Sequence, residues 1–167
     1  MATTRDLLLD GFEHVRDSAC SAVDGADETT LTARLTPEAN SIAWLIWHLT
    51  RVQDDHLSGV AGAQQVWVGG GFHGRFGLPF DEGAIGYGFS SEDVARVRGV
   101  SADLLVEYLE AVTAATRTYV EGLTDDDLDR VVDERWDPPV TLAVRLVSVL
   151  NDDLQHVGQA AFVRGCV

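Results

Sequence analysis

Between Leu142 and Val163 the chain carries an apolar run with helical spacing, interrupted at its centre by Asn-Asp-Asp-Leu-Gln-His-Val-Gly, residues 151–158. Val149, Asp152, Asp153, His156 and Ala160 recur at three- and four-residue intervals, so they share one helix face. A face that is apolar on both sides is a costly place for carboxylates unless they are paired or bind a metal. Asp152 and His156 stand one turn apart, a spacing that lets two side chains reach one point. Asp153 and His156, at i, i+3, can do the same. On this helix alone the simpler reading is that the acids face water and His156 is a hydrogen-bonded core histidine. A second helix with the same anomaly shifts the balance.

That second helix runs from about Ser41 to Ser58, after Pro37 and Asn40 have signalled its start. Ile42, Leu45, Ile46, Leu49 and Val52 form its apolar face, with Trp44 and Trp47 adding bulk. His48 lies at i, i+4 from both Trp44 and Val52 and therefore points inward or along the edge of the core. Asp55 follows on the next turn. A lone core histidine is usually hydrogen-bonded to a neighbour and nothing more. His48 is not alone if the helix carrying His156 packs beside it.

The remaining elements supply the frame. Residues from about Thr4 to Val23 read as a first helix with Leu7, Leu8, Phe12, Val15, Ala19 and Ala22 on or near one stripe; His14 falls at its surface. Residues 25–40 form a connection, with 29–36 weakly alternating and expected to be extended. Ser101 caps a third long helix to about Glu121, ended by Gly122. It carries no histidine and reads as a packing helix. Between the second and third helices, residues 59–91 are rich in glycine and aromatics with no helical period, and read as an ordered crossover loop. They hold no phosphate-binding glycine motif. Ser90-Ser91-Glu92-Asp93 caps a short helix through Arg98, and Thr124 opens a short turn. Its Asp-rich segment lacks calcium-loop spacing. Val131 and Val132 look extended. Trp136-Asp137-Pro138-Pro139 stops any helix before Thr141 caps the last one.

The length of 167 residues suits one domain spanning 1–167. Four long helices with one long crossover between the second and third predict an all-α four-helix bundle in which the crossover permits a parallel step. A net charge of −15, with all twelve basic residues arginine, disfavours nucleic acid and anionic lipid surfaces as partners. The N-terminus has no signal-peptide pattern, and Arg145, Asp152 and Asp153 break the longest apolar run short of a membrane span. Cys20 and Cys166, far apart, read as free thiols, and the chain is expected to be cytoplasmic.

In such a bundle, sites are built from inward side chains on facing helices. His48, Asp152 and His156 would supply two imidazoles and one carboxylate, a ligand set of catalytic zinc with an open fourth position that also suits nickel or iron(II).

The segment Asn40-Ser41-Ile42-Ala43-Trp44-Leu45-Ile46-Trp47-His48-Leu49, followed far downstream by Asp-x-x-x-His-x-Gly-Gln, resembles the DinB-like metal-binding bundles. Within them it is similar to the branch that includes mycothiol- and bacillithiol-dependent transferases and the N-terminal domain of mycothiol-dependent maleylpyruvate isomerase. The resemblance covers essentially the whole chain. It implies that the family's metal ligands fall on His48, Asp152 and His156. Relatives often have Glu or His at the position of Asp152 and a further His at that of Gln159. The isomerase's C-terminal domain has no counterpart here, so maleylpyruvate isomerisation is not expected.

The implied activity is transfer of a low-molecular-weight thiol such as mycothiol to a small electrophile, through a thiolate held on a divalent metal, zinc before nickel or iron. The three residues would act as ligands rather than proton shuttles. Asp55 or Asp153 is expected to orient a ligand imidazole, and Arg51 to meet an anionic group on the thiol or substrate, or else to form a surface salt bridge. The competing reading is a non-catalytic metal-binding or interaction bundle on the same scaffold. A homodimer through a helix face fits either.

Overall fold

The computed structural model describes residues 1–167. Its elements are α1 (Thr4–Val23), α2 (Glu28–Thr32), α3 (Ile42–Ala61), α4 (Val66–Gly69), α5 (Phe72–Phe76), α6 (Ser91–Ala95), α7 (Ala102–Glu121), a 3-10 turn (Asp125–Asp129), β1 (Val131–Asp133), β2 (Val140–Thr141) and α8 (Leu142–Arg164). The four long helices form the expected all-α bundle. Each starts where a hydroxyl side chain satisfies an otherwise unpaired backbone donor. Thr3, Ser41, Ser101 and Thr141 accept from the backbone N–H of Asp6, Trp44, Leu104 and Val144.

α3 is the central element. Residues 42–54 are buried without interruption, as expected of a helix that is apolar nearly all round. α8 and α7 pack on two of its sides, and α1 packs on α8 and α7 rather than on α3. The polar contacts give the directions. Arg51 meets Tyr108, and nine residues further on the Val60 carbonyl shares the Arg130 guanidinium with the Tyr119 hydroxyl, so α3 and α7 run parallel. Arg5 reaches Leu123 and Arg16 reaches Glu110, so α1 and α7 are antiparallel. The parallel step falls between α3 and α7, where the long crossover stands.

Two local expectations need correcting. Residues 29–36 are not extended: Asp27 caps a short helix, α2, by accepting from Thr30 N–H, and Leu31 seats it in the core. The crossover is not all loop, because Trp67, Phe72 and Phe76 are buried from the short helices α4 and α5. An aromatic cluster with Tyr108, ring centroids 4.9–5.8 Å apart, holds these turns, so they need no amphipathic period of their own. The extended reading of Val131 and Val132 holds, and β1 pairs antiparallel with β2. The cap at Ser90 and the third helix from Ser101 also stand as read.

A buried network ties the crossover to α3. Asp54 accepts from the backbone N–H groups of Val66 and Trp67 and from the Tyr108 hydroxyl. Arg51, wholly buried, donates to the Ala84 carbonyl, to Gln65 and to Tyr108, and lies 3.6 Å from Asp54. The core itself is in two parts. Phe12, Leu57, Leu142, Leu146 and Val149 form a smaller cluster apart from the main one. Gln53 and Thr116, Thr113 and Asp153 occupy the helix positions between the two parts, all buried.

Candidate metal centre

His48 on α3 and Asp152 and His156 on α8 come together as the sequence spacing predicts. One donor atom from each lies within 4.8 Å of the others. His156 Nε2 is 3.6 Å from an Asp152 oxygen, and donors around a tetrahedral ion with bonds of about 2.0–2.2 Å stand about 3.5 Å apart. The second Asp152 oxygen is buried with no hydrogen-bond partner, an orphan that a cation would satisfy. Two imidazoles and one carboxylate leave a fourth position open, so the residues fit a divalent metal.

The tautomers follow from the partners. His48 Nδ1 faces the carbonyl of Ile85. A carbonyl only accepts, so Nδ1 carries the proton and Nε2 keeps its lone pair. His156 Nδ1 lies 3.4 Å from the exposed side-chain amide of Gln159, whose oxygen can accept a proton held on Nδ1. Both Nε2 atoms are thereby left as donors to a metal, the arrangement in which outer partners fix ligand imidazoles. Burial holds the His48 imidazole below its ordinary pKa, assisted by the neighbouring His156, which favours the neutral ring a metal needs. For His156, burial acts downward but the hydrogen bond and charge of Asp152 outweigh it, and the net direction is up. Burial also acts to raise Asp152, and the imidazoles around it bring it below the ordinary carboxylate value.

Trp44 walls the site. It stacks on His48 with centroids 4.4 Å apart and meets His156 edge-on at 5.8 Å. His48 is buried and His156 partly so, whereas the Asp152 side chain is 37% exposed, so access is from the α8 side.

Of the two adjacent acids, Asp152 joins the histidines. Asp153 is fully buried in the core, and neither of its oxygens has a partner. Burial, then the charge of Asp152, pushes its carboxyl well above the ordinary value. The expectation that Asp55 or Asp153 orients a ligand imidazole is corrected, because Ile85 and Gln159 occupy the two Nδ1 positions. Asp55 instead accepts from Gln65. Arg51 is not at the surface. Its guanidinium is spent inside the protein, holding the crossover, because a cation placed at 0% exposure requires the carbonyl, amide and acid partners found there.

Sequence reasoning missed Ile85, Gln159 and His56. His56 Nδ1 lies 3.1 Å from an Arg145 nitrogen, and its only sequence signal was a third histidine close behind His48. Gly86, next to Ile85, has φ +91°, and a Cβ there would stand 2.7 Å from His48 Nδ1. Only glycine lets the crossover come this close.

A four-helix bundle with two histidines and an aspartate converging from its second and last long helices is a candidate metal-binding protein of the DinB-like type. The profile of the family described as Mycothiol-S-transferase matches residues 7–167, and the chain belongs to that family. Among solved structures it is similar to the "conserved protein of locus from Enterococcus faecalis". The two are 26% identical with a TM-score of 0.91, over 98% of this chain and 96% of that one. No curated protein is a significant match.

Proposed function

We propose that the protein conjugates a low-molecular-weight thiol, mycothiol or a close analogue, to a small electrophile at a divalent metal held by His48, Asp152 and His156. The observation that carries this reading is the convergence of two imidazoles with Nε2 free and one carboxylate with an orphaned oxygen, in a member of a thiol-transferase family.

A cation bound there supplies the charge that keeps a thiol deprotonated at neutral pH. The protein's own residues do the rest. Ile85 holds His48 in one tautomer and Gln159 stands at Nδ1 of His156, so the two Nε2 atoms are the ones left to serve as ligand atoms. Asp152 contributes one negative charge, leaving a dication net positive toward an incoming sulfur. Trp44 closes one wall to water, and the exposed edge of Asp152 leaves the approach open. In the transfer, sulfur forms a bond to the electrophilic carbon, the thiol proton passes to solvent, and the leaving group departs with its bonding pair. Zinc suits the donor set, with nickel and iron(II) also compatible.

No helix is long and apolar enough to cross a membrane, and we read the protein as cytoplasmic. A homodimer through the outer face of α8, where Val147, Leu154 and Phe162 stand exposed, belongs to the same reading. A monomer at micromolar concentration in sedimentation would remove the dimer.

The test is elemental analysis of untagged protein together with S-conjugation of a model electrophile by mycothiol. About one metal per chain is expected, lost in His156→Ala, with conjugation reduced more than about a hundredfold in His48→Ala. Equal rates in wild type and His48→Ala would sink the mechanism. A bound metal without turnover would favour the non-catalytic bundle.

A further inference from the structure

α3 and α8 carry further polar side chains beyond the candidate metal centre. Eight residues beyond His48 on α3 is His56, and seven residues before Asp152 on α8 is Arg145. At a rise of 1.5 Å per residue both lie about 10–12 Å along the helix axes from the ligand set. His56 is still near enough to Asp152 to feel its charge. His56 and Arg145 line a cleft of about 730 Å³ between the end of α3, the start of α8 and β1.

The cleft is the basic place on an acidic protein. It is lined by Arg130, Arg135 and Arg145 against two acids, Asp55 and Asp133, in a chain whose net charge is −15. The acids are already engaged. Asp133 takes both Arg135, at 2.8 and 2.9 Å, and Arg145, at 3.2 Å, and Asp55 accepts from Gln65. Arg130 donates only to neutral oxygens, the Val60 carbonyl and the Tyr119 hydroxyl, and has no carboxylate within 4 Å. His56 adds a neutral donor. Arg145 can only donate, so His56 Nδ1 accepts and Nε2 carries the proton. Burial, then the charge of Arg145, keeps that ring below its ordinary pKa and hence uncharged.

We infer that this cleft is an anion subsite for the far end of a reactant whose sulfur or electrophilic carbon sits at the metal centre: a carboxylate about 10–18 Å from the reacting atom, the span from His56 to the Val60 carbonyl that holds Arg130, bound by Arg130 with His56 Nε2–H and Arg135 alongside. The inference rests on the proposed function and adds to it the charge and length of the reactant. An excess guanidinium opposite engaged acids is the arrangement that selects an anion, and repulsion elsewhere on the surface directs an anion to it.

The test uses zinc-loaded wild type, Arg130→Gln and Arg135→Gln, titrated by calorimetry with glutathione, with its diethyl ester, and with S-methylglutathione. Wild type is expected to bind glutathione about tenfold or more tightly than the ester, and Arg130→Gln to lose most of that preference at unchanged zinc affinity. Arg135→Gln, whose side chain is 85% exposed, should show the same direction, with the fold checked by circular dichroism at the titration temperature. S-methylglutathione offers no thiol to the metal and reports on the cleft alone. Its binding, weakened in both variants, upholds the subsite even if no thiol transfer is found. Conjugation rates with 6-[4-(chloromethyl)phenyl]hexanoate, whose chain lets the carboxylate reach that distance, and with its methyl ester form the second arm. A preference for the acid that is absent from the thiol pair, and lost in Arg130→Gln, assigns the anion to the electrophile. No preference in either pair while mycothiol transfer proceeds would overturn the inference and leave the transfer reading standing.

Discussion

The imidazole of His48 is held through Nδ1 by the carbonyl of Ile85, a residue 37 positions further along the chain. Gly86, immediately after it, packs its bare Cα against the same ring. A residue of the crossover thus decides which nitrogen of His48 faces the candidate centre. Gly86→Ala places a Cβ against His48 Nδ1 and the Trp47 ring at a positive φ. Zinc affinity is expected to fall about 10- to 100-fold, with helix content unchanged. Competition against a chromogenic chelator measures it, and an unchanged affinity would show that the crossover does not orient the ligand.

Asp54 joins α3 to the crossover by two hydrogen bonds and to Tyr108 of α7 by a third, and faces the buried Arg51. Removing one member of a buried ion pair leaves the other charge uncompensated, at about 3–5 kcal/mol. Asp54→Ala should lower stability by that order in urea denaturation, whereas Tyr108→Phe, which removes only a hydroxyl, should cost about 1–3 kcal/mol. A loss under about 1 kcal/mol for Asp54→Ala would mean the network contributes little.

Asp153 is buried at 0% exposure with both carboxyl oxygens unpartnered, between Val149 and Val157 on the inner face of α8. A buried polar group without a hydrogen bond costs about 1–3 kcal/mol. Asp153→Val should therefore raise stability by that order and shift the thermal midpoint upward. A destabilised variant would mean that the carboxyl is satisfied by something such as internal water.

The Asp133 carboxyl is held far below the ordinary range by hydrogen bonds from Arg135 and by the charges of Arg135 and Arg145. A depressed folded pKa contributes stability that is complete above the unfolded value, about 3.9, and is lost as pH falls through the folded value. Asp133→Asn should remove that contribution. The variant is expected to be less stable than wild type at pH 7, and the gap should narrow as pH falls below about 4. A constant gap from pH 7 to pH 2 would show that Asp133 is not ion-paired in solution.

The metal-centre residues were legible because they break a pattern. His48, Asp152 and His156 are polar at positions where helical periodicity demands apolar side chains, and i, i+4 spacing is local geometry that any helix enforces. Arg51 obeys the same logic in reverse. It sits on a buried helix, yet its type suggested the surface, because nothing local announces the carbonyl of Ala84, 33 positions away, that makes burial tolerable. α4 and α5 were hidden for a related reason: they are held by aromatic contacts with Tyr108 across the bundle rather than by a period within themselves.

The sequence by itself determined the four long helices, the caps at Ser101 and Thr141, and the pairing of an aspartate and a histidine on one turn of α8, and it allowed the parallel step, since all of these depend on contacts within a few residues or on the length of a connection. Only the tertiary structure decided that Asp152 rather than Asp153 meets His48, that Ile85 sets the His48 tautomer, and that three arginines gather in one cleft. Adjacent residues on a helix differ by about 100° in direction. Which of the two acids faces the neighbouring helix is therefore settled by how α3 and α8 pack, and periodicity cannot supply that rotation.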